Sequence, residues 1–408
     1  MGTTTPEKLL KSTYNSKMKV LDTMLERTNK YSLLVLFSFY ILFDAFAKIF
    51  QHLKFNTSVP LYLKISLLIL VGFFYIANRP KVKEMLVFGI LVICFIAGQA
   101  FLSTSFTSNS LTILSKFLFS LLLLFYFNKI IINADGRKML FLFFEWIIIG
   151  NSLLIFLGVL FKLDVFEAYR FSRFGYNGLF ATPSIATYAY TVSLIYFLIG
   201  YKWRVFKNWK FYVVLASCFL LGTKAIFIAV LFGGMYLLFQ KKFKYRKTLL
   251  ILVPILFIIG LFYFLHQNPI FNKILQNESF LSALLSQRDK LLVDKTIPYI
   301  TENWSFLNYL CGGVSDYNLR SQMELVDIFF FWGIAGGLLY LIQFIKAFVQ
   351  FKISAETLFF IITMTLIILL SGNFFVYVIN TLFLLILREK MIALKLKKQN
   401  TYKGTPKV

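Results

Sequence analysis

The chain has 408 residues, of which 59% are hydrophobic and only 15% are charged, and its mean hydropathy is +0.74. Soluble domains carry roughly 25% charged residues, so this composition excludes an ordinary soluble protein. The net charge of +25 is typical of nucleic-acid-binding proteins, but most basic residues lie in short segments between apolar runs. We therefore expect no nucleic-acid partner and attribute the charge to membrane topology and lipid headgroups.

Motifs of soluble enzymes are missing from the sequence. It contains no GxxxxGK[ST], GxGxxG or GxSxG pattern, so it predicts no nucleotide-binding loop and no hydrolase elbow. The three cysteines and two histidines are scattered and predict neither a metal site nor a disulfide framework.

Apolar runs of about 15 to 23 residues recur along the chain, close to the ~20 that a helix needs to cross a bilayer. Alternating strands of the barrel type are absent, so the pattern predicts an all-α, polytopic membrane bundle. About twelve transmembrane helices are predicted, at roughly 31–48, 60–77, 84–101, 111–127, 140–161, 183–200, 206–221, 223–239, 248–265, 323–345, 356–371 and 373–387.

The positive-inside rule orients this bundle with both termini in the cytoplasm. Residues 1–30 then form a cytoplasmic N-terminal segment without the pattern of a cleavable signal peptide. Residues 31–265 carry helices one to nine, 266–322 form a large extracytoplasmic loop, and 323–387 carry helices ten to twelve. Residues 388–408 form a basic cytoplasmic tail.

Basic residues are unexpected in the extracytoplasmic loops, so those found there are candidates for function. Arg170 and Arg173 lie three apart in the loop 162–182, and guanidinium groups bind phosphate oxygens through paired hydrogen bonds. The alternative is that they pair with Asp164 and Glu167, or with lipid headgroups.

A further cation, Lys224, follows Gly222-Thr223 at the predicted turn between two short spans. It is a candidate second phosphate ligand. The alternative is that its amine simply extends along the helix to reach water.

The large loop contains leucines at helical spacing, which predicts an amphipathic helix over Ser279–Ile297 that Pro298 ends. Arg288 lies beside the apolar stripe of this helix and can therefore point at the bundle. The alternative role for Arg288 is a local salt bridge with Asp289 or Asp294.

Two acids open the next predicted span. Glu324 and Asp327 are three apart and share a helix face, where a carboxylate can act as a general base. Acids in a first helical turn also complement the helix dipole, which is the alternative explanation. Arg320, four residues before Glu324, is expected to pair with it, and Gly333 is expected to permit close helix packing.

The remaining intramembrane charges have structural explanations. Asp44 and Lys48 are four apart and are expected to pair, and Lys64 and Lys116 are expected to extend to the surface. No chain of acids crosses the bilayer midplane, which argues against an ion-coupled pump.

The order of these motifs from Arg170 to Gly337 resembles the O-antigen polymerase and ligase family, the Wzy-type membrane glycosyltransferases. The shared features are an Arg-x-x-Arg-x-Gly loop, a small-residue turn with a basic residue, and a large loop with Arg-Asp. A Gly-Gly turn and a Glu-x-x-Asp helix start complete them. The resemblance implies a bundle of the GT-C-like class that needs no metal and no cofactor. It also implies a polyprenyl-diphosphate-linked oligosaccharide as both donor and acceptor. The location it implies is the inner (plasma) membrane of a bacterial cell.

The resemblance also implies roles for individual residues. Glu324 would be the base for the acceptor hydroxyl, with Asp327 in support, and Arg288 would belong to the catalytic group. The implied diphosphate ligands are Arg170, Arg173, Lys224 and Arg288.

Within the family, a polymerase is favoured because ligases typically place a histidine near the position of Glu324, and here no histidine follows His266. The alternatives are a ligase that transfers the glycan to a lipid core, and a flippase or transporter. Membrane lipids are expected partners of any of these proteins, and a chain-length regulator is a candidate partner of a polymerase.

Overall fold

The computed structural model describes residues 31–55, 58–102, 107–169, 173–240, 245–267 and 269–403. The described part of the chain is mostly helical and contains no β-strand. This result confirms the all-α prediction. The helices are α1 Tyr31–His52, α2 Ser58–Ala77, α3 Val82–Ala100, α4 Ser108–Lys129, α5 Ala134–Phe161, α6 Pro183–Tyr201, α7 Trp209–Leu220, α8 Lys224–Gln240, α9 Arg246–Gln267, α10 Pro269–Asn277, α11 Phe280–Leu285, α12 Arg288–Leu291, α13 Ile297–Asn303, α14 Phe306–Cys311, α15 Glu324–Phe348, α16 Ala355–Ser371 and α17 Val378–Lys403.

Each of the twelve predicted spans coincides with one of these helices. Seven helices within the described ranges are long and apolar enough to cross a membrane, namely α1 to α6 and α15. Helices α7, α8 and α16 are apolar but shorter. The protein is therefore an all-α membrane protein, and the number of spans and the GT-C-like class stay predictions.

Helix α6 lies at the centre of the bundle. It packs against α17 and α8, and every side chain from Ile185 to Ile199 is buried. Its buried surface includes Tyr188, Tyr190 and Tyr196, whose hydroxyls all hydrogen-bond to other parts of the protein. Helices α2 and α3 lie at the periphery with most of their surface exposed, as expected for lipid-facing helices.

The large loop folds into short helices, and one sequence prediction about it is wrong. The expected single helix over Ser279–Ile297 is broken at Ser286 and Gln287, which both adopt left-handed backbone angles. Pro298 does not end a helix as predicted, because helical structure continues from Arg288 to Asn303. A π-helical turn over Leu292–Thr296 ends two residues before the proline, and Pro298 lies in the first turn of α13, where a missing N–H is tolerated.

A backbone contact attaches the end of this loop to α15. Gly333 interrupts the helix with φ +66°, and a Cβ there would lie 2.5 Å from the backbone nitrogen of Gly312. Only glycine adopts such a conformation without strain and permits so close an approach. The glycine therefore serves the packing of the loop end against α15.

Helix α17 extends well past residue 387, the predicted end of the last span. Arg388 and Glu389, assigned from sequence to the cytoplasmic tail, are only 2% and 4% exposed. The helix therefore contributes buried charges to the bundle before it becomes basic and polar.

Candidate functional site

Three basic side chains from distant parts of the chain line one cavity, here called the cationic cavity. Arg173 comes from the loop before α6, Lys224 from the start of α8, and Arg288 from the large loop. The cavity has a volume of about 70 Å³, well below the roughly 300–1,000 Å³ of pockets for whole small molecules. It therefore fits a small charged group of a larger ligand.

Arg173 is held by aromatic rings. Its guanidinium carbon lies 3.6 Å from the ring centroid of Tyr169 and 5.7 Å from that of Phe271. Stacking fixes the plane of a guanidinium group and leaves its edge N–H groups available for oxygen ligands. Arg170, the other predicted arginine of this loop, lies outside the described residues.

Lys224 connects the start of α8 with the large loop. Its amine donates a hydrogen bond to the backbone oxygen of Ala283 and lies 3.9 Å from the ring centroid of Phe271. An ammonium group has three donors, so one contact to a carbonyl leaves capacity for a ligand. Neither contact supplies a negative charge.

Arg288 is half-buried at the start of α12. Burial lowers the pKa of its guanidinium, and the charges of Asp327 and Glu324 act in the opposite direction. Arg288 thus lies within electrostatic reach of both acids. Neighbouring loop charges have other contacts, since Asp289 accepts a hydrogen bond from Ser282.

Two helix N-termini also face the cationic cavity. Pro183 and Ser184 from the first turn of α6 line it, as do Thr223 and Ala225 at the start of α8. Helix N-termini present unpaired backbone N–H groups and the positive end of the helix dipole. Cations and helix dipoles therefore favour the same ligand, an anion.

Glu324 is almost completely buried and has two backbone partners. Its Oε2 accepts a hydrogen bond from the N–H of Phe374 at 2.8 Å, and its Oε1 accepts one from the N–H of Phe375 at 2.9 Å. The carboxylate therefore holds the connection between α16 and α17 against the start of α15. It does not line the cationic cavity.

Asp327 has a different environment. Its Oδ1 accepts a hydrogen bond from Ser321 at 3.1 Å, whereas its buried Oδ2 has no hydrogen-bond partner. Arg320 is the nearby cation, with Nε 3.7 Å from Oδ2. Arg320 also donates to Asn373 at 2.6 Å. The expected Arg320–Glu324 pair is thus replaced by an Arg320–Asp327 pair.

The ion pair predicted between Asp44 and Lys48 is also wrong. Asp44 pairs with Lys64 of α2 instead of Lys48. Lys48 donates to Asn177 and, at 3.3 Å, to the backbone oxygen of Glu167. Spacing along one helix could not reveal either partner, because both lie on other segments.

The structure therefore brings Arg173, Lys224 and Arg288 together and places the two acids in a separate, adjoining cluster. Among the described residues, no group of three or more His, Cys, Asp or Glu side chains could hold a metal ion. The arrangement can bind a phosphate-like group and place a carboxylate near it. No protein-family model, curated protein or solved structure matches this chain.

Proposed function

We propose that the protein is a membrane glycosyltransferase that polymerises polysaccharide. It transfers oligosaccharide repeat units from a polyprenyl diphosphate carrier to a growing chain of the O-antigen or capsule type. The observation that carries this proposal is the cationic cavity, where three basic side chains meet two helix N-termini. A lipid-linked diphosphate is an anion at the membrane surface that such a cavity suits.

In this reaction the oxygen of an acceptor hydroxyl forms a bond to the anomeric carbon of the donor. The bond between that carbon and the diphosphate oxygen breaks, and the electron pair leaves with the diphosphate. Arg173, Lys224 and Arg288 stabilise the negative charge that develops on this leaving group. The hydroxyl proton passes to a carboxylate.

Asp327 is the better-placed proton acceptor of the two acids. Both oxygens of Glu324 already accept backbone hydrogen bonds, whereas Oδ2 of Asp327 has none. Asp327 and Arg288 are also within electrostatic reach of each other. In this proposal Glu324 positions the α16–α17 connection, and Asp327 takes the role that the sequence-based hypothesis gave to Glu324.

The test replaces the chromosomal gene with the Arg288→Ala variant and examines surface polysaccharide on a gel. Loss of a charge that stabilises the leaving group should lower transfer by about 10²- to 10³-fold, which leaves single repeat units. The matched control is Lys290→Ala, because Lys290 is exposed and pairs with Glu278 at 2.6 Å.

Lys290→Ala should give the full ladder of chain lengths. A normal ladder of chain lengths from Arg288→Ala, at equal protein levels in the membrane, would contradict the proposal. Long chains that remain on the lipid carrier in a deletion strain would instead indicate a ligase. Loss of both single repeats and long chains would indicate a transport step.

A further inference from the structure

A second cavity lies at the same end of the bundle and contains charges of both signs. This mixed-charge cavity has a volume of about 230 Å³ and is lined by Asp44 of α1, Lys64 of α2 and Lys116 of α4. Ile185 in the first turn of α6 also lines it, next to the Pro183–Ser184 segment that lines the cationic cavity. The two cavities therefore adjoin the same helix end.

The charges of the mixed-charge cavity are not balanced by the protein. Lys116 has no hydrogen-bond or ion-pair partner within the part of the chain that the structure describes, and the positive charges of Lys64 and Arg320 act on it. A half-buried ammonium group among other cations is costly unless an anion joins it. The cavity therefore favours a negatively charged group beside Lys116.

Asp44 favours a hydrogen-bond donor in the same cavity. It is 2% exposed, and its Oδ1 accepts a hydrogen bond from Lys64. Its Oδ2 is buried without a hydrogen-bond partner. A buried carboxylate oxygen in this state lacks a donor that a ligand hydroxyl can supply. One ligand that carries both an anion and hydroxyl groups would satisfy Lys116 and Asp44 together.

The surface beside the cavity is suited to a lipid tail. Leu61 and Ile65 of α2 line the cavity and are each 39% exposed, and Ile69, one turn further along, is 68% exposed. Residues four apart lie along one face of a helix, so these side chains form an apolar stripe that leads away from the cavity. A ligand with an anionic, sugar-bearing head and a long apolar chain matches the cavity and the stripe.

We propose that the mixed-charge cavity binds a second lipid-diphosphate-linked sugar, the acceptor of the transfer reaction. Its diphosphate lies against Lys116, and a hydroxyl of its first sugar donates to Asp44. This inference rests on the proposed function, because a polymerisation needs two lipid-linked substrates at once. The Arg320–Asp327 pair connects the two sites electrostatically, because Arg320 acts on Lys116 and Asp327 interacts with Arg288.

The test measures binding of farnesyl diphosphate to the full-length protein in phosphatidylcholine nanodiscs by isothermal titration calorimetry. The wild-type protein should bind two equivalents. Lys116→Met should weaken one of them by about tenfold or more, since a charged hydrogen bond contributes about 1.5–3 kcal/mol. Lys224→Met should weaken the other. Lys116→Arg keeps the charge and should retain both, which separates ligand loss from misfolding.

The matched control is Lys346→Met, which removes an exposed lysine from the last turn of α15, at the opposite end of that helix from Glu324. It should retain both equivalents. Asp44→Asn should tighten binding of this sugar-free probe several-fold, because it removes a negative charge and releases Lys64. Weaker binding after Asp44→Asn would contradict the placement of the diphosphate.

Several outcomes would overturn the inference. A single equivalent that only Lys224→Met removes would refute the second site and leave the proposed function intact. Two equivalents in Lys116→Met would also refute it. Displacement of the Lys116-dependent equivalent by an equal concentration of phosphatidylglycerol would make the cavity a site for bulk lipid headgroups. Conversely, one equivalent that only Lys116→Met removes would support this cavity and contradict the function proposed for the cationic cavity.

Discussion

The cationic cavity and the opposite end of the helical bundle differ in how their cations are compensated. At the end that carries α17 beyond Arg388, cations meet carboxylates directly. Arg137 lies 2.9 Å from Glu389, and Lys210 lies 2.8 Å from Glu145. At the other end, the contacts of Arg173 and Lys224 are aromatic rings and a backbone carbonyl.

This difference separates charges that hold the protein together from charges that are available to a ligand. Buried ion pairs compensate each other, so removal of one partner leaves an isolated charge in the interior. A cation held by a ring or a carbonyl has no carboxylate partner, so an incoming anion can pair with it. The comparison therefore predicts losses of stability at the first end and losses of activity in the cationic cavity.

The largest expected effect on stability comes from Arg388→Ala. The Arg388 guanidinium donates to the side chain of Asn128 and to the backbone oxygen of Phe127, and it lies 3.6 Å from Glu389. Its removal takes a donor from the buried backbone oxygen of Phe127 and leaves a cavity at a position that is 2% exposed, at a cost of about 3–5 kcal/mol. Thermal unfolding in detergent should show a strongly lowered Tm and little protein in the membrane.

The control for this prediction is Arg288→Ala at the other end, which should unfold close to the wild-type temperature. Equal losses of stability from the two arginines would contradict the difference between structural and ligand-binding cations. It would then follow that the cationic cavity is a structural feature and not a ligand site.

A second prediction separates the two acids. Glu324→Gln leaves a single side-chain oxygen for two backbone N–H groups, those of Phe374 and Phe375, and one unsatisfied group costs about 1–3 kcal/mol. Asp327→Asn keeps the oxygen that Ser321 contacts and should be less destabilising. Transfer activity should show the reverse order, with the larger loss in Asp327→Asn.

Parallel measurements of Tm and of transfer rate in purified protein would check this order. Full activity in Asp327→Asn, together with an inactive but stable Glu324→Gln, would restore the sequence-based role of Glu324 as the base. Such a result would also remove the argument that a carboxylate held by backbone amides is structural.

The comparison also shows which features the sequence could predict. Helix positions follow from apolar length, so each predicted span coincides with a helix. Arg173, Lys224 and Arg288 were candidates from the sequence because basic residues are unexpected in predicted extracytoplasmic loops, and the three line one cavity in the structure. Their common cavity could not be derived, since it depends on how three segments separated by about 50 or more residues pack together.

The wrongly predicted ion pairs have one physical cause. Spacing rules describe neighbours on a single helix, whereas buried charges take whichever partner the packed bundle provides. Asp44 therefore pairs with Lys64 rather than Lys48, and Arg320 pairs with Asp327 rather than Glu324. The partners of Glu324 are backbone groups, which carry no sequence signal at all.

A third prediction concerns the attachment of the large loop to α15. Gly333→Ala adds a Cβ at a left-handed position against the backbone of Gly312, with a strain of about 1–3 kcal/mol. The loop should detach from α15 and become more susceptible to proteases, and activity should fall because Arg288 belongs to this loop.

The control for Gly333→Ala is Gly234→Ala in the helical interior of α8, where no atom lies within 4 Å of the added Cβ. It should be neutral or stabilising by up to about 1 kcal/mol. Unchanged protease resistance in Gly333→Ala would show that the loop is held elsewhere.

The smallest expected effect tests whether burial, and not position in the bundle, decides the cost of losing a charge. Lys202 and Glu356 lie 2.6 Å apart beyond the C-terminus of α6, and their side chains are 46% and 38% exposed. Water screens such a pair, so a double-mutant cycle with Lys202→Ala and Glu356→Ala should give a coupling below about 1 kcal/mol. Measured by thermal unfolding, a coupling as large as the loss in Arg388→Ala would mean that every charge at this end is structural. A small coupling confines the structural role to the buried pairs around Arg388 and sharpens the contrast with the cationic cavity.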